Sequence, residues 1–370
     1  MIIIFFLSYL PKFAGQYLKK VLMKKINSLL VFLFLFIFTC SAQEEDTLYV
    51  AFWNLQNLFD TINDPEKNDE SFLPDGDMEY TPERLDKQMY NLSRVIRSMN
   101  NGNGPDLLGV CEVENQAVLD SMVNKFLHDL NYKIAYLESP DNRGIDNGFL
   151  YKTNKFKLLN LQADTVHLSD GWPTRLIFGV NLLTKNDEKV TVFVNHWPSR
   201  SGGQEKSEPN RIAAAQTLRN AVNRIFGKDV DAKIIAIGDF NDEPVNVSVL
   251  ETLNAYPLKC DSIHAEFEEK SSGELYNITY PAFENGLGTY KYRDDWNMLD
   301  QIIVSGSLIT DEDFFYICNS FKIYKPYYIV TQSGKYKGAP FPTYGGRRYL
   351  GGYSDHYPVI AKFLIKNTLE

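Results

Sequence analysis

Short apolar blocks recur between turn-rich loops from residue 47 to the C-terminal end of the chain, and their spacing sets the first picture of the fold. Runs rich in β-branched and aromatic residues predict strands over Leu48–Phe52, Leu107–Cys111, Ile134–Leu137, Gly148–Tyr151, Ile177–Leu183, Val190–Val194, Ile234–Ile237, Gln301–Val304 and Val359–Leu364. A different period marks a helix. Thr81 is placed to cap it and Pro82 to begin it. Leu85, Met89, Leu92, Ile96 and Met99 then follow at steps of four, three, four and three, one apolar stripe. A second helix is expected from Asn210 to Phe226. Strands outnumber helices and no glycine-rich βαβ fingerprint is present, so a two-sheet sandwich with helices outside is expected.

Composition narrows this little. Of 370 residues, 44% are hydrophobic and 14% aromatic, which suits a packed core and excludes a disordered chain. No repeat of fixed period is visible, which excludes solenoids and propellers.

The N-terminal stretch changes the picture more. From Met23 the chain has Lys24, Lys25, an unbroken apolar run from Leu29 to Phe38, and then small residues. That is the pattern of a secretory signal cut after Ala42, with residues 1–22 an upstream extension and Met23 the true start. The run is too short to span a bilayer comfortably, so no stable membrane insertion is expected. Cys40 leaves open a lipidated cysteine, though Phe38 and Thr39 fit that pattern poorly. Residues 43–370 would then form a single secreted or periplasmic domain.

Removing residues 1–42 removes five lysines and no acid, leaving 33 basic against 47 acidic residues, a net charge of −14. Such a chain does not grip a polyanion by charge alone; a phosphate substrate has to be held locally, by a metal and a few aimed cations. The three remaining cysteines, Cys111, Cys260 and Cys318, exclude a disulfide scaffold or a zinc cluster, and a Cys260–Cys318 bridge stays open. Asp60 to Glu83 holds nine acids and Lys67 as its one base. It lacks the fixed spacing of a calcium loop, and a solvated surface loop is expected.

Several predicted strands end or begin on residues of one chemical type. Asn54 and Asn57, Glu112 and Glu114, Asn195 and His196, and Asp239 and Asn241 follow strands; Asp300, Asp355 and His356 begin them. In an antiparallel sheet the end of one strand lies beside the start of its neighbour, so all can share one rim. Each alone reads as a capping Asn, a turn Asp or a satisfied His. Together they supply oxygen ligands suited to Mg2+ or Mn2+, with Ca2+ a further option, and two imidazoles near carboxylates. That chemistry is metal-assisted phosphoester hydrolysis.

The segments FWNLQN, CEVEN, NHWPSR, GDFND, LDQIIV and SDHYPV, in this order, resemble the endonuclease/exonuclease/phosphatase superfamily to which deoxyribonuclease I belongs, and its secreted bacterial members in particular. The resemblance implies an α/β (α+β) four-layer sandwich of two packed, mixed, largely antiparallel sheets flanked by helices. It implies Glu112 as the main metal ligand, with Asn54 near the metal and Asp355 completing that side. His196 would contact the scissile phosphate or protonate the leaving oxygen, Asn241 would hold a phosphate oxygen, and Asp300 would buttress His356. Asp239 and His356 are jointly the candidate base. Arg143, before the strand that follows Asp146, is a candidate phosphate clamp, as is Arg200. Tyr290, with Tyr292 and Trp296, is a candidate aromatic wall. Cys111 stands where the family usually has Gln and reads as a small buried residue. Glu114 reads as an acid at the surface or behind the ligands.

The implied function is a monomeric, secreted nuclease acting without sequence preference on DNA or RNA. A phosphatase or phospholipase C-like enzyme is the alternative, and a catalytically dead binding module is opposed by the retention of every motif residue.

Overall fold

The computed structural model describes residues 45–260 and 272–366; the expected leader and Cys40 lie outside them. In chain order the strands are β1 (Glu45–Leu58), β2 (Leu107–Val113), β3 (Tyr132–Tyr136), β4 (Asp146–Lys152), β5 (Phe156–Asp164) and β6 (Ile177–Thr184). There follow β7 (Lys189–His196), β8 (Lys233–Asp239), β9 (Ala255–Pro257), β10 (Leu275–Asn277), β11 (Tyr290–Tyr292) and β12 (Asp295–Asn297). The last six are β13 (Asp300–Ser305), β14 (Phe314–Tyr316), β15 (Lys322–Ile323), β16 (Tyr344–Gly345), β17 (Arg348–Tyr349) and β18 (Val359–Lys366). One seven-stranded sheet has the order β14-β18-β1-β2-β4-β3, with β15 also on β18; the other runs β5-β6-β7-β8-β13-β10-β9. β11–β12 and β16–β17 are separate hairpins.

Alternation along the strands builds the layers, because successive side chains leave a strand on opposite faces. Leu48, Val50 and Phe52 of β1 join Ile235 and Ile237 of β8 and Val192 of β7 in the core between the sheets. Tyr49, Ala51 and Trp53 of the same strand face outward, onto Leu92 and Ile96 of α1 (Pro82–Ser98) and Leu119 and Met122 of α2 (Gln116–Phe126). On the far side, Ile234 and Ala236 of β8 pack on Ala214, Leu218 and Val222 of α3 (Gln204–Phe226). Helices, sheet, sheet, helix: these are the four layers expected.

All nine predicted strands form. α1 begins as predicted, with the Thr81 side chain accepting from the Arg84 N–H. Eight strands of two or three residues, β9–β12 and β14–β17, were not foreseen, and three larger features differ. α2 was not foreseen; Asn115 caps it, its Oδ1 accepting from Val118 N at 2.9 Å. β5 lies at a sheet edge, and its mixed burial hides it from a reading based on apolar runs. α3 starts at Gln204 instead of Asn210, with Pro209 inside it. Buried Arg211 compensates there, donating to Gln204 O and Ser207 Oγ at 2.8 Å each and pairing with Asp242 at 2.8 Å.

The rim also forms, but by a different route. β1 and β2 are parallel, as are β7 and β8, so Asn54 lies level with Cys111 and His196 with Asp239 because strand ends coincide. The Asp239–Asp300 neighbours follow the antiparallel rule, as does the end of β1 at Asn54 beside the start of β18, which brings Asp355 and His356 to the rim. Gly238 is required here: a Cβ would stand 2.4 Å from Asn195 O.

A Cys260–Cys318 disulfide joins the segment after β9 of one sheet to the segment after β14 of the other, and Cys111 is free and buried. Among the described residues no helix is long and apolar enough to cross a membrane.

Candidate active site

Two β-bulges aim the rim. The β1–β2 register shifts between Asn54 and Leu58, and the β2–β4 register shifts around Glu112. Gln56, Asn57 and Glu112 all have φ between 53° and 58°, the left-handed region that non-glycine residues avoid. Val113 therefore packs on the same outer face as Val110, and Glu112, the extra residue, leaves the alternation for the rim. Its Oε2 accepts from Asn57 N at 3.0 Å. Asn241 is a fourth such residue, at φ 50°, turning the chain after β8.

Asn54 sits at the centre. Its Nδ2 donates to Glu112 Oε1 and to Asp239 Oδ2, both at 3.1 Å, and its Oδ1 accepts from Gln56 N at 3.0 Å. Two acceptors on one side and a donor on the other fix the amide's sense. Asn54 is thus a neutral spacer that sets the distance between two carboxylates. Asp239 Oδ1 accepts from Asn241 N at 2.9 Å.

The two histidines converge on this centre. His356 Nε2 is 3.8 Å and His196 Nε2 4.0 Å from Asp239 Oδ2; His196 Nε2 is also 3.8 Å from Glu112 Oε1. His356 Nδ1 lies 2.7 Å from Oδ2 of Asp300, a fully buried acid whose Oδ1 has no hydrogen-bond partner among the described residues. Burial pulls the His356 pKa down, but Asp300, Asp239 and Asp355 together carry it well above the ordinary value. His196 moves the opposite way. Burial, then the Arg175, Arg143 and His356 cations, push it well below 6.5. Its Nδ1 is buried without a partner, so the carboxylates opposite favour the proton on Nε2.

The remaining carboxylates feel one another. Burial raises Asp239, with Asp300 adding and His356 opposing. Burial raises Asp355 to about 6, with Glu112 and Asp239 adding and His356 opposing. Tyr290 pairs with His356 through an isolated bridge and stacks on its ring at 4.7 Å; burial pushes its hydroxyl up to about 12. All of these but the buried Asp300 line an open pocket of about 660 Å³ together with Arg143, Arg200 and Tyr292.

Several expected residues play other parts. Arg200 reaches the rim, but its Nε donates to Asn241 O at 2.7 Å and its other nitrogens reach Asn297, Asp242 and Asn246, so it braces the loops. Arg143 keeps its guanidinium half exposed, with Asp141 at 3.3 Å its only ion-pair partner among the described residues. Asn195 is fully buried and accepts from Trp197 Nε1 at 3.2 Å. Trp296 stacks on Tyr357 and belongs to the packing, whereas Tyr292 faces solvent at the pocket mouth. Asp146 is buried and accepts from Ser139 N at 2.6 Å, anchoring the loop that carries Arg143. Glu114 is buried too, accepting from Asp60 N at 2.6 Å; burial, with Asp60, Asp69 and Asp64 nearby, raises it to about 8.

One functional residue was missed. Arg175 is 5% exposed; its Nε donates to His196 O at 3.1 Å, one terminal nitrogen to Trp197 O at 2.6 Å and the other to Asp141 Oδ2 at 2.9 Å. It ties the loop after β7 to the loop carrying Arg143. The one signal in the sequence is a lone cation directly before an apolar strand.

A divalent cation fits this donor set. Glu112, Asp239, Asp300 and Asp355 face a single imidazolium, and Asp239, Asp300 and His356 each offer a donor atom within 4.8 Å of the others. Hard carboxylate oxygens at an open pocket suit a cation that keeps waters.

A model of the Endonuclease/Exonuclease/phosphatase family matches residues 49–365. No curated protein matches the chain. Among solved structures, the human Nocturnin catalytic domain with bound sulfate aligns at 16% identity and TM-score 0.51, covering 87% of this chain and 96% of that one. TDP2 of D. rerio complexed with single strand DNA product aligns at 14% and 0.52, covering 86% and 99%. A mannosyl-6-phosphatase of Bacteroides thetaiotaomicron aligns at 16% and 0.52, covering 85% and 99%. At such identities the likeness is one of fold.

Proposed function

Because the chain belongs to the endonuclease/exonuclease/phosphatase family, hydrolases of phosphoester bonds, we propose that it is a secreted, metal-dependent phosphodiesterase acting on nucleic acid. The observation that carries this reading is the approach of a neutral and a charged imidazole to one carboxylate, Asp239, on the wall of an open pocket.

Glu112 and Asp355 would hold the cation, Mg2+ or Mn2+, whose charge would polarise the phosphoryl group. Asn54 keeps Glu112 and Asp239 apart without adding charge. His196, neutral with its hydrogen on Nε2, would donate a hydrogen bond to a phosphate oxygen or to the leaving oxygen. The proton of the attacking water goes to the Asp239–His356 pair, and Asp300 stabilises the imidazolium. The leaving oxygen takes a proton from solvent in the open pocket and departs as an alcohol, the Asp239–His356 pair returns its own to solvent, and the phosphate keeps the water's oxygen.

The nucleic-acid choice is supported by half-exposed Arg143, by Tyr290 and Tyr292 on the pocket wall, and by the fold shared with a TDP2 solved on DNA product. Export is supported by the leader pattern and by the Cys260–Cys318 bridge, a bond that persists in oxidising compartments.

The test is turnover of plasmid DNA, RNA, bis-nitrophenyl phosphate, nitrophenyl phosphate, mannose 6-phosphate and sphingomyelin, with each divalent metal and with chelator. Nicking that needs metal and is lost in His196→Ala is expected. Turnover of monoesters or of sphingomyelin alone would replace the nuclease reading with the phosphatase or phospholipase one.

A further inference from the structure

A second basin opens beside the pocket. Its cavity is about 370 Å³ and shares Arg143, Ser199 and Ser201 with the first, so Arg143 forms part of the wall of both. Trp172 stands on its edge, 65% exposed, on a turn formed by Gly171 (φ +74°) and held by Trp172 N donating to Asp170 Oδ1 at 3.0 Å. A tryptophan so exposed, beside a cavity, is a planar face without a partner. Trp53 and Trp197 are fully buried by contrast.

The rest of the lining indicates what such a face would meet. Asn68, Asn142 and Asn210 line the basin, and no side-chain amide among the three has a hydrogen-bond partner among the described residues. An amide offers a donor and an acceptor together, which is what the edge of a heterocyclic base presents. A sugar's hydroxyls each donate and accept, and their recognition draws on carboxylates as well as amides. The basin has one carboxylate, Asp141, and it is spent: Oδ1 accepts from Arg143 N and Nε, and Oδ2 from Arg175 and Arg143. Arg143 stands between the basins with its guanidinium half exposed, where the backbone phosphate joining two nucleotides would pass.

We propose that this basin is a nucleobase subsite, in which a base one nucleotide from the scissile phosphate stacks on Trp172 and is read at its edge by Asn142, Asn68 and Asn210. The proposal rests on the nucleic-acid reading above and makes it more specific. The enzyme grips a short piece of single strand through one base and one phosphate, which suits a chain with too much negative charge to hold a long polyanion.

The experiment has two arms. In the first, metal-free protein is titrated with AMP and with mannose 6-phosphate, and tryptophan fluorescence is followed in the native chain and in Trp172→Ala. Quenching by AMP that disappears in Trp172→Ala is expected. Quenching by mannose 6-phosphate instead, or AMP quenching that survives the substitution, overturns the subsite. In the second arm, Trp172→Ala and Trp172→Phe are assayed on a short single-stranded oligonucleotide and on bis-nitrophenyl phosphate. Loss of one stacked base is expected to raise KM for the oligonucleotide roughly 5- to 100-fold. Trp172→Phe should recover most of this, and kcat/KM for the small diester should not move. Equal loss on both substrates, or on neither, overturns the proposal. Failure of the native chain to cut any oligonucleotide, with AMP quenching intact, would sink the nuclease reading while leaving a base-binding basin.

Discussion

His356 and His196 approach the same Asp239 carboxylate to within 4.0 Å, yet the fold gives them opposite charge states. His356 sits between Asp300 and Asp239 and holds a proton. His196 lies among Arg175, Arg143 and His356 and stays neutral, without the second proton. Burial alone would neutralise both, so the difference comes from what stands behind each ring: a buried carboxylate behind one, a buried guanidinium near the other. One fold thus prepares an acid and a neutral donor a few ångströms apart without changing the side chain.

That asymmetry is open to attack. The largest effect should come from the charged side: His356→Ala is expected to lower kcat about 10²- to 10⁴-fold, as loss of a proton-transfer group does, with Asp300→Asn following it. His196→Ala should cost about 10²- to 10³-fold, the range for a lost donor to a developing oxyanion. Steady-state rates on one diester decide it; if His196→Ala is the more damaging, the assignment of roles is inverted.

Next is the brace. Arg175→Met takes from buried Asp141 its buried partner, leaving it the half-exposed Arg143, and takes a donor from the carbonyls of His196 and Trp197. A loss of about 3–5 kcal/mol is expected, measured by urea unfolding. A change below about 1 kcal/mol would mean that Arg175 does not hold the His196 loop.

Titration sharpens the contrast further. In metal-free protein, ring NMR signals should show His356 protonated well above 6.5 and His196 neutral well below it. The linkage signs follow. A raised folded pKa means that the stability from His356 is complete below 6.5 and lost as pH rises through the folded value. A depressed one means that His196 disfavours folding as pH falls below 6.5. Replacing His356 should therefore flatten the alkaline limb of the pH–stability curve, and replacing His196 the acid limb.

The smallest effect concerns Glu114, two residues from Glu112 but facing away from the pocket. With its carboxyl raised from 4.5 to about 8, stability should fall as pH rises between those values, and Glu114→Gln should remove that slope. Urea unfolding at several pH values checks it.

How much of this the sequence carries depends on the kind of interaction. Strands and the residues at their ends were legible, because β-branched runs interrupted by Asn, Glu, Asp or His leave a local signature. The chemistry of the rim was legible for the same reason. Pairing was not: β1 with β2 and β7 with β8 are parallel, and nothing local distinguishes a parallel neighbour from an antiparallel one. Nor was the bulge that aims Glu112, since it depends on a shift against β4. Arg175 and Arg200 show the limit most clearly. A cation beside an apolar strand or on a glycine-ended loop reads as solvated or substrate-facing, and only the folded chain shows carbonyls and amides waiting for it. Glu114 fails likewise, because the loop that buries it lies more than thirty residues upstream.

The disulfide carries a consequence of another kind. Cys260 and Cys318 bracket β10 through β14, which lie between His196 and His356 in the chain. A protease that cuts one bond between them makes two polypeptides and still leaves one molecule. A cut between Cys260 and Asp300 puts Glu112, His196 and Asp239 on one piece and Asp300 and His356 on the other, joined by sulfur. Such a nicked enzyme should run as a single band until it is reduced. In the exported enzyme proposed above, the two pieces would stay together after the backbone has been broken.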